Sequence, residues 1–358
     1  MSAQLEITDR HGQAFRASSV AGDAGTLSGS STYKTTSVYG EGMTEIPTAA
    51  GSIDSSRLGN TLVHEHVFAI GEEYRLNYDT TWDEEEKVAQ AVSDLNGLKA
   101  LGIDTIMDPT VLGLGRYVPR IQRVAEQTEL NIIVATGLYT FNDLPPQFSY
   151  RGPGEFVDMA EPLTELFIKD ITRGIGDTGV RAAFLKCAID APGMTRGVER
   201  TMRAVAQASI ETGAPITVHT HAASRSGLVA QRLFIEEGVS PAKVVIGHSG
   251  DSTDIEYLTE LADNGSLLGM DRFGVDAFLP FEQRVATVVE LVRRGYAESV
   301  VVSHDASCYI DFFESGEFGD KWNYRHISED VLPALRAAGV SEDDIDTILV
   351  KNPKRYFE

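Results

Sequence analysis

Two histidines separated by one residue close an apolar run at residues 61–66 (TLVHEH). In a β-strand, side chains i and i+2 point to the same face, so His64 and His66 can converge on one point. A convergent pair of imidazoles at the C-terminal end of a strand is a natural beginning for a metal site. Because short His-X-His matches also arise by chance, the weight of this pair depends on whether later segments of the chain supply further ligands.

Four later segments end in the same way, with an apolar run followed by a group that can bind a metal. They are residues 183–186, 216–219, 244–248 and 300–305. Four imidazoles, an amine and a carboxylate are too many ligands for one tetrahedral ion and suit two divalent ions. The candidate ligands at or near the ends of these five predicted strands are His64, His66, Lys186, His219, His248 and Asp305.

Lys186 is the unusual member of this set because it stands within the apolar run 182–189. An ammonium group there faces a heavy desolvation penalty, so we expect the amine to be neutral, paired or modified. A neutral amine can take up carbon dioxide to give a carbamate, which acts as a carboxylate and can bridge two divalent ions. The alternative is a lysine that binds a phosphate or carboxylate, and the four histidines favour the carbamate.

Asp305 ends the eighth predicted strand, where an aspartate can be a metal ligand and general base or simply a turn residue. The strand pattern turns its neighbour His304 to the opposite face, which predicts a packing role. His221 follows His219 by two residues, but the strand is expected to end before it. We therefore leave His221 and His304 out of the predicted site.

Two more polar side chains end predicted strands, Tyr139 after the third and Arg272 after the seventh. A phenol or guanidinium at such a position can bind a substrate oxygen or a leaving group. A structural role is open for each, with the arginine paired to a nearby acid such as Asp271 or Asp276. The aromatic segment 308–325 is predicted to be a lid or hydrophobic substrate channel, or a loop packed on a subunit interface.

Eight apolar runs alternate with amphipathic segments from about residue 58 onwards. The helix-like stretches lie near 83–100, 117–127, 156–174, 196–212, 225–237, 253–264, 281–295 and 326–338. The predicted strands are 60–65, 103–107, 131–136, 182–187, 214–219, 243–247, 266–271 and 299–304.

Eight strand–helix units predict a (β/α)₈ TIM barrel, with a doubly wound open sheet as the alternative. The candidate ligands decide between these folds, because an open sheet would separate its first and eighth strands too far to share an ion. A barrel gathers groups from the C-terminal ends of many strands around one mouth. The sequence therefore predicts an α/β barrel with a binuclear metal centre at its C-terminal mouth.

Composition restricts the classes of partner. The chain has 358 residues and a net charge of −22, which disfavours binding to nucleic acid or to an anionic membrane surface. No apolar stretch is long enough to span a bilayer, and the N-terminus lacks the pattern of a secretory signal, so a cytoplasmic location is predicted. Two cysteines, Cys187 and Cys308, give no disulfide framework, although one bond between them stays open.

Residues 1–42 differ from the rest of the chain in being rich in Ser, Gly, Thr and Ala, with weak periodicity. We interpret them as a flexible N-terminal extension or leader, and Met43 is an alternative start. Residues 43–358 are then the barrel domain.

The site residues and the segments around them resemble the amidohydrolase superfamily, and within it the phosphotriesterase-like lactonases. The likeness runs from about residue 45 to the C-terminus and depends on several motifs taken together. These are LVHEH at 62–66, DPTV at 108–111, GLGR at 113–116, ATGLY at 135–139, IGH at 246–248, GMDRFG at 269–274 and SHD at 303–305.

This resemblance implies a role for each site residue. His64, His66 and Asp305 would hold a buried metal ion, and His219 and His248 a more exposed one. A carboxylated Lys186 (N6-carboxylysine) and a hydroxide would bridge the two ions. Zinc is the first expectation, with cobalt, manganese or iron also accepted by these ligands. The roles that remain are Tyr139 beside the metals, Arg272 near the substrate channel and Phe312 against the acyl chain.

The family hydrolyses lactones, notably the N-acyl-homoserine lactones of quorum sensing, and often has side activity on organophosphate triesters. The resemblance implies that Asp305 accepts a proton from the bridging hydroxide and delivers it to the leaving alkoxide, and that the protein is a homodimer. Three alternatives stay open. They are a phosphotriesterase (aryldialkylphosphatase) as the main activity, a non-catalytic metal-binding barrel, and an amidase or other hydrolase of the superfamily.

Overall fold

The computed structural model describes residues 44–313 and 316–358, so the interpretation of residues 1–42 as a leader lies outside the described part of the chain. Eight parallel strands, labelled β1–β8, form the central sheet. They are β1 Thr61–Leu62, β2 Thr105–Asp108, β3 Asn131–Gly137, β4 Phe184–Ile189, β5 Ile216–Thr220, β6 Val244–Gly247, β7 Leu267–Met270 and β8 Val300–Val302.

The eight strands pair in sequence order from β1 to β8. The first and last strands meet just beyond their C-terminal ends, where the backbone N–H of Asp305 donates to the carbonyl of His64 (3.1 Å). Beside it, the N–H of His64 donates to Oγ of Ser303 (2.8 Å). The predicted (β/α)₈ barrel is therefore confirmed, because in a doubly wound sheet these two strands would lie apart.

Helices cover the outside of the strands and connect them. Two π-helical segments, Ile327–Val331 and Thr347–Lys351, run directly into the helices that follow them. The α-helices are α1 Glu72–Tyr78, α2 Glu84–Ala100, α3 Val118–Ala125, α4 Pro146–Ser149, α5 Pro162–Thr172, α6 Arg196–Thr212, α7 Ser226–Glu237, α8 Ile255–Asp263, α9 Phe281–Arg293, α10 Leu332–Ala337, α11 Glu342–Asp346 and α12 Asn352–Phe357. Single 3₁₀ turns lie at Ser55–Arg57, Ala222–Ser224, Pro241–Lys243, Ser249–Asp251 and Ala297–Ser299.

The strands divide their side chains between two apolar clusters. The larger cluster lies between strands and helices and includes Leu185, Val218 and Ile246. The smaller cluster fills the barrel interior and includes Phe184 and Val301. Because strand side chains alternate, the residues two and four positions beyond an interior residue also point into the barrel. Along the strands, the inward-pointing side chains are therefore mostly apolar in the barrel interior and polar at its mouth.

Within residues 44–313 and 316–358, three pairs of short strands lie outside the barrel sheet. Glu45–Thr48 and Gly51–Asp54 form an antiparallel hairpin, and Arg151–Gly152 pairs with Val157–Asp158. His66–Ala69 pairs in parallel with Ser307–Ile310, which binds the chain after β1 to the chain after β8. The pairing of 66–69 with 307–310 fixes the first residues of the aromatic segment 308–325.

Two predicted elements have different limits in the structure. The strand predicted at 60–65 ends at Leu62, and a second short strand begins at His66. The helix predicted at 156–174 begins only at Pro162, because Val157–Asp158 belong to a strand pair and Pro162 suits the first turn of a helix.

The described residues contain no helix that is both long and apolar enough to cross a membrane. Both cysteines are free, so the disulfide that the sequence left open does not form. Cys187 lies within β4, and burial raises the pKa of its thiol to about 12.

Candidate metal centre

The six predicted ligand side chains come together at the C-terminal mouth of the barrel. The nearest carboxylate oxygen, Oδ1 of Asp305, lies 3.3 Å from Nε2 of both His64 and His66. The ammonium nitrogen of Lys186 lies 3.1 Å from Nε2 of His64. Lys186 lies within β4, and the other three residues follow β1 and β8. Together these four side chains form the deeper part of the cluster.

Two further imidazoles complete the cluster on the side of β5 and β6. Nε2 of His248 lies 3.9 Å from Oδ2 of Asp305 and 2.8 Å from Nδ1 of His219. The ligand atoms of His64, His248 and Asp305 all lie within 4.8 Å of one another, close enough for metal ions to bind among them. The sequence predicted that these six side chains converge because they lie at or near strand ends. In the structure they do converge.

His64 and His66 converge, but not as two residues of one strand. The chain leaves the sheet after Leu62 and pairs again from His66 onwards with the strand Ser307–Ile310. The two ring centroids lie 5.7 Å apart. The prediction that both histidines lie on one continuous strand was therefore wrong. The prediction that their side chains converge is correct.

Lys186 is buried to 1% exposure, and burial lowers the pKa of its amine to about 8. Roughly a tenth of the amine is therefore neutral at pH 7, far more than for an ordinary lysine, and the neutral form is the one that reacts with carbon dioxide. The nitrogen faces the imidazole of His64 and the carboxylate of Asp305. This environment agrees with the expectation that the amine is neutral, paired or modified.

A fully buried carboxylate, Asp271, fixes two of the imidazoles at once. Its Oδ2 lies 2.9 Å from Nδ1 of His64, and its Oδ1 lies 2.9 Å from Nδ1 of His248. Because an ionised carboxylate only accepts, both Nδ1 atoms carry the proton, and both Nε2 atoms are left bare. The sequence had suggested Asp271 as a partner of Arg272, and that suggestion was wrong.

Two glycines make room for this carboxylate. A Cβ at Gly269 would lie 2.5 Å from Oδ2 of Asp271, and a Cβ at Gly247 would lie 2.8 Å from the carbonyl of Val218. Directly after Gly247, His248 takes a left-handed backbone conformation with φ 62°. Such a conformation is uncommon for a residue with a side chain and turns the imidazole back towards the centre.

His66 is fixed through a hydroxyl. Nδ1 of His66 lies 2.7 Å from Oγ1 of Thr110, which in turn donates to Oδ1 of Asp108 (2.5 Å). The threonine therefore accepts from the imidazole, and Nε2 of His66 is bare. Both partners are buried and belong to the segment DPTV, which begins with the last residue of β2.

His219 uses the opposite ring nitrogen. Its Nε2 lies 2.5 Å from Oδ2 of Asp190, so the proton lies on Nε2 and Nδ1 is bare. The hydrogen bond from His219 lowers the pKa of Asp190 to about 2, and burial lowers the pKa of His219 to about 4. The imidazole is therefore neutral at physiological pH.

The orientation of the four rings fits metal ions. Each imidazole donates its outer N–H to a partner and presents a bare nitrogen to the centre, as neutral histidine ligands do. Burial lowers the pKa of His64 and His248 as well, so neither supplies a proton to the cluster. Bare nitrogens of His219 and His248 face each other at 2.8 Å with no hydrogen to share, an arrangement that a bound cation would stabilise.

Arg272 pairs with two carboxylates at the edge of the cluster. Its Nε donates to Oδ2 of Asp305 and its Nη1 donates to Oδ2 of Asp251, both at 3.0 Å. Burial alone would raise the pKa of Asp305, but the facing histidines and Arg272 hold it well below its ordinary range. Asp305 is therefore a carboxylate, with one oxygen on the arginine and the other towards His64 and His66.

Tyr139 covers the cluster beside His219. Its hydroxyl lies 3.4 Å from Nδ1 of that residue, and Phe141 packs against both rings. Burial raises the pKa of the phenol, so the hydroxyl remains a hydrogen-bond donor. Tyr139 and Arg272 thus lie at the cluster, as the sequence predicted.

A cavity of about 310 Å³ opens from the cluster and is largely apolar away from it. Of the aromatic residues in the segment 308–325, Phe312, Phe313 and Trp322 line this cavity. The indole of Trp322 donates to the backbone carbonyls of His304 and Asp305 (3.2 and 3.1 Å), which attaches the loop to the end of β8.

The other three aromatic residues of the same segment, Tyr309, Phe318 and Tyr324, do not line the cavity. Tyr309 packs against Trp82, and the hydroxyl of Tyr324 donates to the backbone carbonyl of His66. The segment is therefore only in part a wall of the site, and Tyr309 and Tyr324 hold its ends.

The two histidines left out of the predicted site lie away from the cluster. His304 is completely buried, with Nδ1 2.7 Å from Oε1 of Glu65 and Nε2 accepting from the backbone of Ile327. His221 follows the last residue of β5, and its Nδ1 lies 3.0 Å from Oγ of Ser224.

Sequence reasoning missed the residues that orient the imidazoles, chiefly Asp271 and Asp190. Both could have been found from alternation along a strand. Asp271 lies two positions after the interior Gly269, and Asp190 lies four positions after Lys186 in β4 and the turn beyond it. The partners Asp108, at the end of β2, and Thr110, just after it, show no comparable pattern.

Comparison with known proteins agrees with this geometry. Residues 44–357 match the model of the Phosphotriesterase family. A "Phosphotriesterase homology protein" of Mycobacterium tuberculosis is 55% identical over 320 residues, covering 88% of this chain and 98% of that protein. An "Aryldialkylphosphatase" of Saccharolobus solfataricus is 40% identical over 311 residues, covering 86% of this chain and 97% of the relative. A solved structure described as the phosphotriesterase from Mycobacterium tuberculosis superposes with a TM-score of 0.87 at 55% identity, over 88% of this chain and 98% of that one.

Proposed function

The chain belongs to the phosphotriesterase family and is a hydrolase of that family, and we propose that it hydrolyses lactones, N-acyl-homoserine lactones in particular. The observation that carries this proposal is the apolar cavity beside the cluster. Leu114, Ile310, Phe312 and Phe313 line it, and such a wall suits an aliphatic acyl chain extending from a reacting carbonyl. In a cell that receives acyl-homoserine lactone signals, this activity would quench quorum sensing.

We assign two divalent ions to the cluster. His64, His66 and Asp305 would hold the buried ion, and His219 and His248 the more exposed one. Lys186, carboxylated by carbon dioxide, would join them as a bridging carboxylate. Zinc suits the imidazole-rich set, and cobalt, manganese and iron are accepted alternatives. When bound, the ions supply Lewis acidity towards the substrate carbonyl and lower the pKa of water towards neutrality.

The chain's own residues supply proton transfer and orientation. Asp305, ionised and adjacent to His64 and His66, accepts the proton of the attacking water and returns it to the leaving alkoxide. Arg272 holds the second oxygen of Asp305 at 3.0 Å, which fixes the rotation of the carboxylate. The protonated phenol of Tyr139 donates to the oxygen on which negative charge develops.

Phe312 supports the contact with the acyl chain. Its side chain lines the cavity, yet 42% of its surface remains exposed, so a long chain can still cover apolar area there.

A second candidate is hydrolysis of organophosphate triesters as the main activity. The name of the Saccharolobus solfataricus relative, aryldialkylphosphatase, favours it. A tetrahedral phosphorus centre resembles the tetrahedral intermediate of ester hydrolysis, so one site can serve both reactions. We propose triester hydrolysis as a side activity, because a dialkyl aryl phosphate makes less use of the apolar cavity than a long acyl chain does.

The test compares the two substrate classes on zinc-loaded protein. Hydrolysis of a long-chain N-acyl-homoserine lactone is followed by a pH indicator, and that of a diethyl aryl phosphate by release of the phenol. We expect the larger kcat/KM for the lactone, with both activities lost after chelation and in Lys186→Ala. A larger kcat/KM for the triester would reverse the assignment, and turnover that survives chelation would contradict a metal-dependent reaction.

We propose that the chain is a homodimer located in the cytoplasm. Support for the dimer comes from α1, which buries no residue and exposes Tyr74, Leu76 and Tyr78 to between 65% and 71%. Sedimentation velocity tests it, because Leu76→Glu should shift a dimer to monomer if α1 lies in the interface. A monomeric wild-type protein at micromolar concentration would contradict the proposal.

A further inference from the structure

The four imidazoles of the cluster differ in the solvent exposure of the group that anchors them. His64 and His248 donate to Asp271, whose side chain is completely buried, and His66 donates to the buried Thr110. His219 donates to Asp190, whose side chain is 24% exposed. Only the anchor of His219 is therefore accessible to water.

Asp190 also lies beside a second cavity, of about 430 Å³, that adjoins the main one. Tyr139, His219 and Arg272 are shared by the two cavities, while His221 lines only the second. The carboxylate accepts from Nε2 of His219 and from the backbone N–H of Ala191 (2.6 Å). Of the four imidazoles, its hydrogen bond reaches only His219.

We propose that Asp190 is a positioning residue that sets the affinity of the centre for the more exposed of its two ions. By accepting the Nε2 proton, it fixes His219 in the tautomer whose Nδ1 is bare, and it holds the ring in place. This inference rests on the proposed function, since it requires a centre with two ion positions. Loss of such an outer partner typically weakens metal binding by about 10–100-fold.

Asp271 provides the contrasting case. It anchors both His64 and His248. In the proposed assignment, His64 would hold the buried ion and His248 the exposed one. Its replacement should therefore weaken both binding steps, whereas replacement of Asp190 should weaken one. A general loss of stability would not produce that difference between the two variants.

The experiment is a zinc titration of the metal-free full-length chain. Calorimetry in the presence of a competing chelator measures the affinity of each binding step. Wild type should show two binding steps. In Asp190→Asn the tighter step should stay unchanged, and the weaker step should lose about 10–100-fold in affinity. Asp271→Asn should weaken both steps. His221→Asn is the matched control, because it alters the same cavity without touching a ligand, and it should behave as wild type.

Two readouts separate positioning from folding. Nitrogen-15 spectra of the metal-free protein should show less His219 with its proton on Nε2 in Asp190→Asn than in wild type. The melting temperature of that variant should stay near the wild-type value, and Asp190→Ser should show the same one-step loss if the asparagine variant folds poorly.

The possible failures are distinct. Equal weakening of both steps in Asp190→Asn, or no weakening of either, would overturn the role of Asp190 while leaving a two-ion centre intact. A wild-type chain that binds a single ion would contradict the binuclear centre itself and, with it, the role of Asp190.

Discussion

Residues 64–66 and 303–305 run side by side where the barrel closes, and each segment has one face towards the barrel interior and one towards the surrounding chain. The inward group consists of His64, His66 and Asp305, whose side chains contact each other, the anchors of the imidazoles, Lys186, His248 and Arg272. The outward group consists of Glu65 and His304, which bond to each other at 2.7 Å and to backbone amides.

Both groups combine histidine with a carboxylate. They differ in whether each polar side-chain atom has a hydrogen-bond partner. Glu65 accepts from the amides of His304 and Ala306, and both ring nitrogens of His304 have partners. In the inward group, bare imidazole nitrogens and a carboxylate converge without a hydrogen between them. A histidine–carboxylate pair is therefore structural where its hydrogen bonds are complete, and becomes a candidate for metal binding where they are not.

The largest expected effect comes from removing the metal, which should affect only the inward group. Dialysis against a chelator should reduce lactone hydrolysis by a factor of roughly 100 or more, since the ions supply the Lewis acidity and the activated water. Addition of zinc should restore it. The far-ultraviolet circular dichroism should stay unchanged, because the outward group and the barrel core need no ion. Loss of the folded circular dichroism signal on chelation would show that the fold, including the outward group, depends on the metal.

Asp305→Asn should have the next largest effect. It removes the proposed proton acceptor and should lower kcat/KM for lactones by about 10²–10⁴-fold, the range of general base catalysis. Measured at saturating zinc, the loss should appear in kcat more than in KM. A variant that binds two zinc ions and keeps wild-type turnover would remove Asp305 from the reaction and favour the non-catalytic alternative.

Glu65→Gln tests the outward group. The amide oxygen can still accept, but its NH₂ group cannot accept from the amide of Ala306, so a buried donor loses its partner. We expect the free energy of unfolding to fall by about 1–3 kcal/mol in a denaturant titration. At a temperature well below melting, kcat/KM should remain near wild type. Unchanged stability together with loss of bound zinc would place Glu65 in the metal site instead.

Phe312→Ala should have the smallest effect and lies in neither group. It removes apolar surface from the cavity wall, so KM for a long-chain lactone should rise by roughly 10-fold, while a short-chain lactone should change little. An equal change for both chain lengths would show that Phe312 shapes the loop rather than the acyl site.

The sequence was informative where alternation along a strand applies. Strand ends predicted the barrel and the convergence of six side chains, because a parallel barrel brings all its C-terminal ends to one mouth. The same alternation placed His304 outside the site. Contacts across the chain were not predictable in this way, since Asp190 and Thr110 depend on how loops after β4 and β2 fold back towards His219 and His66.

Backbone detail was also beyond the sequence. A single strand through residues 60–65 was expected to explain His64 and His66, but pairing is interrupted at Val63 and resumes with the strand Ser307–Ile310. The left-handed conformations of His248 and Asp305, with φ of 62° and 56°, could not be predicted from their residue types either. Both conformations are imposed by the surrounding structure, which holds these two residues against the cluster.

Anomalous diffraction at the zinc edge from crystals of the zinc-loaded protein would test the central claim most directly. We expect two peaks in the inward cluster, one bounded by His64, His66 and Asp305 and one by His219 and His248, with additional density on the nitrogen of Lys186. No peak should lie near Glu65 or His304. A single peak would contradict the binuclear centre on which the proposed hydrolysis depends, and an unmodified Lys186 between two separated ions would contradict the carbamate bridge.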